Sequence, residues 1–371
     1  LLQFSPLTVV SPIRFNSYNP ATLPDGYFEP LTTAQINAPF EIGKGYLIRV
    51  ADNHPTVATV WNGVFNGLPN NGTISASITP IQTGITGFNA VGNPYPSDLD
   101  LPLFFAENTN LTGSAYFWRK TNGAANGYGY CTWASGVWAT NTSNALAPTN
   151  NKISPGQAFI VRANSGTSVT FKNTMRTIEN TDNFYRSNNT NTINGMWLNL
   201  NDNNSNFSQN AIVYADGSTN GYDHGKDAKL LREQDFSIYS IFDNGNYTIQ
   251  SRSLPVIDSE IIPIGIKTQT DGNYSISIDH ISGLITSTQD VYIKDLLNNV
   301  IQSLSNPYTF YTTSGSIDNR FQIMYASALN TDSNNLNQND VIVFGTENGI
   351  KINSEKIEIE KIRIYDYTGR L

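Results

Sequence analysis

From Met196 onward the chain repeats one pattern: about five β-branched and aromatic residues, then glycine, asparagine or aspartate, at roughly ten-residue spacing. Met196-Trp-Leu-Asn-Leu200, Ala211-Ile-Val-Tyr214, Phe236-Ser-Ile-Tyr-Ser-Ile241, Tyr274-Ser-Ile-Ser-Ile278 and Arg320-Phe-Gln-Ile-Met-Tyr325 all follow it. Runs this short are strands, and turn residues between them close hairpins, which is the pattern of an antiparallel sandwich. Helix signals are confined to Leu99–Ala106, where Ser97 or Asp98 can cap the first turn, and to Gly225–Arg232. Charged residues are only 14% of the chain and aromatics 11%, a balance suited to turn-rich β-proteins rather than helical bundles.

Polar tracts divide the sequence. Residues 1–186 are expected to form one β-sandwich module, 187–195 a linker, 196–328 a second sandwich, and 329–340 a second polar linker, with a further β-segment over 341–371. The fold class is therefore all-β, built from tandem antiparallel β-sandwich modules. Within the first module, Gly43-Lys-Gly-Tyr-Leu-Ile-Arg-Val50 followed by Trp61-Asn-Gly-Val-Phe-Asn66 echoes Pro155-Gly-Gln-Ala-Phe-Ile-Val-Arg-Ala163 followed by Phe171-Lys-Asn-Thr-Met-Arg176. The echo predicts two equivalent hairpins, with Arg49 and Arg162 at matching strand positions.

Two stretches of the sequence resemble a known family. Strand-like alternation at Ile350/Ile352 and Ile362/Ile364, then Lys361-Ile-Arg-Ile-Tyr-Asp-Tyr-Thr-Gly-Arg-Leu371, resembles the start of the C-terminal sorting domain of the type IX secretion system of Bacteroidetes. The resemblance rests on Ile350, Ile352, Ile362, Ile364, Tyr365, Asp366, Gly369 and Arg370. Gly92-Asn-Pro-Tyr-Pro-Ser97 resembles a motif of modules that precede such domains, where it forms a structural corner. The resemblance implies an exported chain whose partners are the outer-membrane translocon and its β-barrel shuttle protein. Its destination is then the cell surface or the medium, by way of the periplasm, and further strands are expected after Leu371. Leu1-Leu-Gln-Phe4 is neither an initiator nor a signal peptide, so the chain reads as the C-terminal part of a longer exported protein.

Chemistry-bearing residues are sparse. The three histidines, His54, His224 and His280, lie in separate segments without metal-ligand spacing, and no Gly-x-Ser-x-Gly elbow is present. Cys131 is the one cysteine and reads as a packed strand residue. No catalytic residue is expected. Thirty acidic against 22 basic side chains, a net charge of −8, disfavour nucleic acid and anionic membrane as partners. No apolar run has the length of a membrane-spanning helix.

Two ligand readings remain. Asp216, Asp223 and Asp227 share an acidic loop whose oxygens suit Ca²⁺, although Lys226 sits among them and the spacing is not that of an EF-hand. The alternative there is an ordinary turn held by aspartate side chains. Trp118, Trp133 and Trp138, in the densest aromatic stretch, are either core or a sugar-stacking surface served by amides such as Asn122 and Asn126. The second case would make the chain a carbohydrate-binding accessory region of a polysaccharide-degrading enzyme. The first suits a non-enzymatic adhesin or stalk.

Overall fold

The computed structural model describes residues 15–22, 25–48, 65–120, 128–140, 150–177, 193–202, 206–231, 235–257, 259–283, 291–325, 342–346, 349–353 and 361. Strands dominate it, as the periodicity requires. An N-terminal sheet has the order β2-β1-β3, from β1 (Phe15–Asn19), β2 (Tyr27–Pro30) and β3 (Tyr46–Ile48), with the short helix α1 (Thr33–Ile36) between the last two. The first module follows with β4 (Ile74–Ser77), β5 (Phe88–Gly92), β6 (Asp98–Asp100), α2 (Leu101–Glu107), β7 (Leu111–Lys120), β8 (Tyr128–Ala134), β9 (Val137–Thr140), β10 (Lys152–Ile153), β11 (Ala158–Ala163), β12 (Ser168–Phe171) and β13 (Arg176–Thr177). Its five-stranded sheet, β5-β11-β7-β8-β9, buries Val91, Ala115, Phe117, Trp133, Phe159 and Val161 against β4–β12, α2 and the small sheet β10-β6-β13.

The Gly92–Ser97 segment is the corner that joins these layers. Asn93 is buried and donates to the carbonyls of Ser97, Ile153 and Ser154, while its own oxygen accepts from the Tyr95 amide. Tyr95 lies under the Arg176 guanidinium, which in turn reaches Ser97 Oγ at 2.8 Å. A prolyl–tyrosyl–prolyl turn cannot continue a strand, so the chain must bend here, and one asparagine satisfies the backbone groups that the bend leaves open. Helix α2 follows, capped by Asp100 rather than by Ser97 or Asp98.

The second module runs β14 (Asn194–Asp202), β15 (Phe207–Ala215), β16 (Ala228–Lys229), β17 (Ser237–Phe242), β18 (Gly245–Ser253), β19 (Ile261–Thr268), β20 (Gly272–Ser282), β21 (Val291–Asp295), β22 (Val300–Ser303), β23 (Tyr308–Thr312) and β24 (Gly315–Tyr325). The expected sandwich takes the form of one continuous sheet, β22-β21-β24-β19-β17-β18-β15-β14-β20-β23, with β16 also on β18. The sheet rolls nearly shut around Leu198, Ile212, Ile264, Ile276, Phe310 and Ile323. The β15–β18 pair is parallel, and the other ladders are antiparallel. Asp243 and Asn244, both at positive φ, make the two-residue turn between β17 and β18. The expected helix at Gly225–Arg232 is instead a turn leading into β16, because Ala228 is taken up by pairing with Ile249.

Side chains, not a ladder, close the roll. Arg320 on β24 holds the fully buried Asp295 of β21 through Nε at 3.0 Å and Nη2 at 2.8 Å. Tyr308 on β23 donates to the same carboxylate at 2.8 Å, and Arg320 Nη1 reaches the Tyr311 carbonyl at 3.0 Å. Burial pushes the Asp295 carboxyl up, but the bonds from Arg320 and Tyr308 outweigh it and hold the carboxyl below its ordinary value.

The predicted hairpin duplication does not appear. Tyr46–Ile48 is an edge of the N-terminal sheet, whereas Ala158–Ala163 lies inside the five-stranded sheet, paired on both sides. Phe171 ends a strand and leads into a 3-10 turn at Asn173–Met175 instead of opening a strand. Arg49 and 61–64 lie outside the described residues. Finally, β25 (Ile342–Thr346) and β26 (Gly349–Asn353) pair antiparallel as a two-stranded sheet.

Removing one member of the closing pair strands the other in the core. Arg320→Ala is expected to cost about 3 to 5 kcal/mol, whereas exchanging both for apolar residues, Asp295→Leu with Arg320→Met, recovers most of it. Urea unfolding of the three proteins checks this; a single-variant cost below about 1 kcal/mol would show that the pair does not close the roll.

Candidate functional site

The ladder β7–β8 decides the fate of the tryptophans, because residues opposite each other share a face. Trp133 is opposite Ala115 and, on its other side, Trp138. That face is the core face. Trp133 is 3% exposed, stacks on Phe105 at 5.5 Å and 10°, and donates to Asn151 Oδ1 at 2.8 Å. Trp138 packs against Phe117. Trp118 is opposite Tyr130 and faces the other way. It is 40% exposed, and Tyr130 meets its ring edge-on at 5.0 Å. Of the three candidates, then, two are core and one stands at the surface. Asn122 and Asn126 lie outside the described residues.

Trp118 forms one wall of a groove of about 1010 Å³ that runs between the outer face of the five-stranded sheet, the N-terminal sheet and the corner at Gly92–Pro96. Its floor is low because the side chains there are small. Gly92 pairs with Ala158, and continuing the β11–β7 register puts Ala158 beside Trp118. The 41–45 segment lies over Gly92: a Cβ there would be 3.1 Å from the Lys44 carbonyl, so the segment would have to give by a few tenths of an ångström to admit one, and the low part of the floor is Ala158. Phe40, Tyr46 and Phe65 also line it, the last 61% exposed and 5.7 Å from Phe40. Among the described residues, two charged side chains line the groove, Glu41 and Lys44, and they bond to each other at 2.7 Å. Sequence reading singled out Gly92 for the corner but gave neither Ala158 nor Phe65 a place in a site. The available signal was small residues at outward positions of otherwise bulky strands, but it has no address until the register is known.

The acidic loop does a different job. Asp227, 1% exposed, accepts from the Ser251 amide through Oδ1 and the Asp223 amide through Oδ2, both at 2.6 Å. Asp223 closes on Thr219, and Asp216 is exposed, offering its main-chain carbonyl to Lys226 Nζ at 2.8 Å. The Asp223 and Asp227 carboxylates thus turn to separate partners, and among the described residues no group of three or more acidic, histidine or cysteine side chains is placed to hold a metal. The loop docks on the first module instead. Gly225 donates to the Thr112 carbonyl at 3.1 Å, and His224 Nε2 lies 2.7 Å from the Leu111 carbonyl. Gly113, at φ +81°, has room for no side chain, since a Cβ would sit 2.3 Å from Gly225 Cα.

Cys131 is buried in β8 beside Thr140, and burial pushes its thiol up. His280 stacks on Trp197 at 4.1 Å, with Nδ1 2.7 Å from Asp279 Oδ2, and His54 lies outside the described residues. Of the sorting-segment residues, Ile350 and Ile352 fall in β26; Ile362, Ile364, Tyr365, Asp366, Gly369 and Arg370 lie outside the described residues.

These features define an all-β unit with a groove lined by aromatic side chains and a separate two-stranded hairpin, β25–β26. The chain belongs to the family described as a domain of unknown function (DUF8693), whose model matches residues 1–325 and so runs across both modules. Residues 329–371 match a second family, also described as a domain of unknown function (DUF8694). No curated protein and no solved structure matches the chain.

Two outcomes follow from these placements. Trp133→Ala is expected to lower stability by about 3 to 5 kcal/mol in urea unfolding; a loss under about 1 kcal/mol would contradict its core position. Burial, with the charges of Asp223 and Asp243 adding to it, pushes Asp227 up to about 7 against the bonds from the Asp223 and Ser251 amides. The folded state then holds this proton more tightly than the unfolded chain. The resulting stabilisation is complete below the unfolded carboxyl value and is lost as pH rises toward about 7. Between those limits the wild type should therefore lose stability relative to Asp227→Asn as pH rises, read as the difference between their melting curves. A difference that does not change with pH would rule this out.

Proposed function

We propose that this chain is part of an exported, non-enzymatic surface protein whose welded β-modules act as an adhesive or stalk unit and whose segment from Val341 onward directs export through a type IX secretion system. The support is the residue pattern from Gly349 to Leu371, together with the separation of β25–β26 from the rolled sheet. A hairpin of two strands leaves outer main-chain groups to be met by another strand. In this proposal the partner is a later strand of the signal or a component of the outer-membrane translocon and its shuttle protein.

A second reading, a carbohydrate-binding accessory region of a secreted polysaccharide-degrading enzyme, is favoured by one observation, the exposed ring of Trp118 at the groove wall.

Export is tested by deleting Val341 onward from the gene in a host with a working type IX system. The truncated protein is expected to fold and accumulate in the periplasm, and the complete tail fused to a periplasmic reporter should carry the reporter to the surface or medium. Normal export of the truncated protein would overturn the proposal.

A further inference from the structure

We infer that the turn between β21 and β22, with Tyr311 of β23 beside it, is a docking point for the surface of a zwitterionic phospholipid bilayer, a contact that depends on neither the route of export nor the carbohydrate reading.

Residues 296–301 are all exposed, and four of the six are aliphatic: Leu296 at 45%, Leu297 at 72%, Val300 at 37% and Ile301 at 45%. Tyr311, 59% exposed, stands next to them, because Arg320 donates to its carbonyl through Nη1 at 3.0 Å while the Arg320 carbonyl accepts from the Leu296 amide at 2.8 Å. Apolar side chains gathered at one exposed point mark a contact surface. The turn itself is fixed. Asp295 Oδ1 accepts from the Leu297 amide at 3.0 Å and the Asn298 amide at 3.2 Å, and Oδ2 accepts from Asn298 Nδ2 at 2.9 Å. The buried carboxylate that closes the roll thus also sets the turn that carries both leucines.

Shape and hydrogen bonding select the partner. A stable protein interface takes about 20 to 30 residues a side, and a turn led by Leu297 is too narrow to supply them. Lipid accepts a narrow apolar point, provided that the main-chain groups entering it are satisfied within the protein. Here the amides of Leu296, Leu297 and Asn298 are all bonded, to Arg320 or to Asp295. Tyrosine, an apolar body with a polar end, suits the level of the headgroups. The sequence from Leu296 to Ile317 contains no acidic or basic residue, so entry of the turn desolvates no charge of its own. Asp318, two residues before Arg320, is exposed, and the whole chain carries −8; both turn the contact away from anionic lipid. Asn299, exposed in the turn at φ +52°, keeps the entry shallow, at the headgroup boundary.

The test is flotation of the full 371-residue chain with vesicles of phosphatidylcholine, alone or mixed with phosphatidylglycerol, at low and at high salt. The chain is expected to float with phosphatidylcholine alone at both salt levels, since an apolar contact is not screened. Leu297→Ser should lower the partition coefficient about tenfold, the order of what one buried leucine contributes, with an unchanged urea midpoint. Leu297→Asp together with Ile301→Asp should abolish flotation. If that pair does not fold, Leu297→Trp decides: it should bind more tightly than the parent, and brominated phosphatidylcholine should quench its fluorescence beyond the parent's. No flotation with phosphatidylcholine, flotation that survives the paired aspartates in a folded protein, or a Leu297→Trp variant that neither binds more tightly nor is quenched would overturn the proposal. Flotation with the mixed vesicles only, lost at high salt, would overturn the apolar contact. A dimer in sedimentation velocity that Leu297→Ser dissolves, without flotation, would show that a second copy takes the turn in place of lipid.

Discussion

Everything in this molecule is organised by three neighbouring strands, β14, β15 and β18, that must be covered on both faces. Their inward side chains, among them Met196, Leu198 and Ile212, fill the roll. Their outward ones, Trp197, Ala211, Val213 and Ile249, pack against Ala134, Val137 and Ala139 of the first module. Polar contacts lock the join: Trp197 Nε1 donates to the Trp138 carbonyl at 2.7 Å, and Gln209 Oε1 accepts from the Thr140 amide at 3.3 Å. Small residues on one side and a tryptophan on the other let two sheet faces approach as closely as a domain core does. The modules therefore form one body, which accords with a single family model running across both.

How much of this was legible in the sequence varies with the range of the interaction. Strand runs and the Gly92–Ser97 corner are local, and both were readable. Two-face burial also left a trace: Ala211-Ile-Val-Tyr214 is continuously apolar where a half-buried strand would alternate. The sites were less legible because they depend on register. Whether Trp118 shares a face with Trp133 turns on pairing across residues 121–127, and a shift of one residue would have exchanged core for surface. Of the two readings of the acidic loop, calcium needed three carboxylates converging on one point; Asp227 instead meets the backbone of β18 at Ser251, twenty-four residues later, which the sequence could not show.

The groove is a by-product of the same constraint that shapes the first module. The outer face of its sheet is claimed at one end by the second module and at the other by Tyr18 and Phe28 of the N-terminal sheet. Between these covers the 41–45 segment runs close over β5, so that a Cβ at Gly92 would crowd the Lys44 carbonyl at 3.1 Å. Among the described residues, what lies between them is a strip floored by Ala158 and walled by Trp118, and its shape follows from the packing on either side.

The position of β24 gives the body a mechanical character. It is the last strand of the rolled sheet in chain order, yet it lies inside that sheet, with seven register pairs to β19 and five to β21, and Arg320 Nη1 reaches the Tyr311 carbonyl across the seam of the roll. Tension arriving through Tyr325 cannot peel an outer strand away one bond at a time. It meets two ladders and a buried ion pair together, so force applied at this end is shared among them.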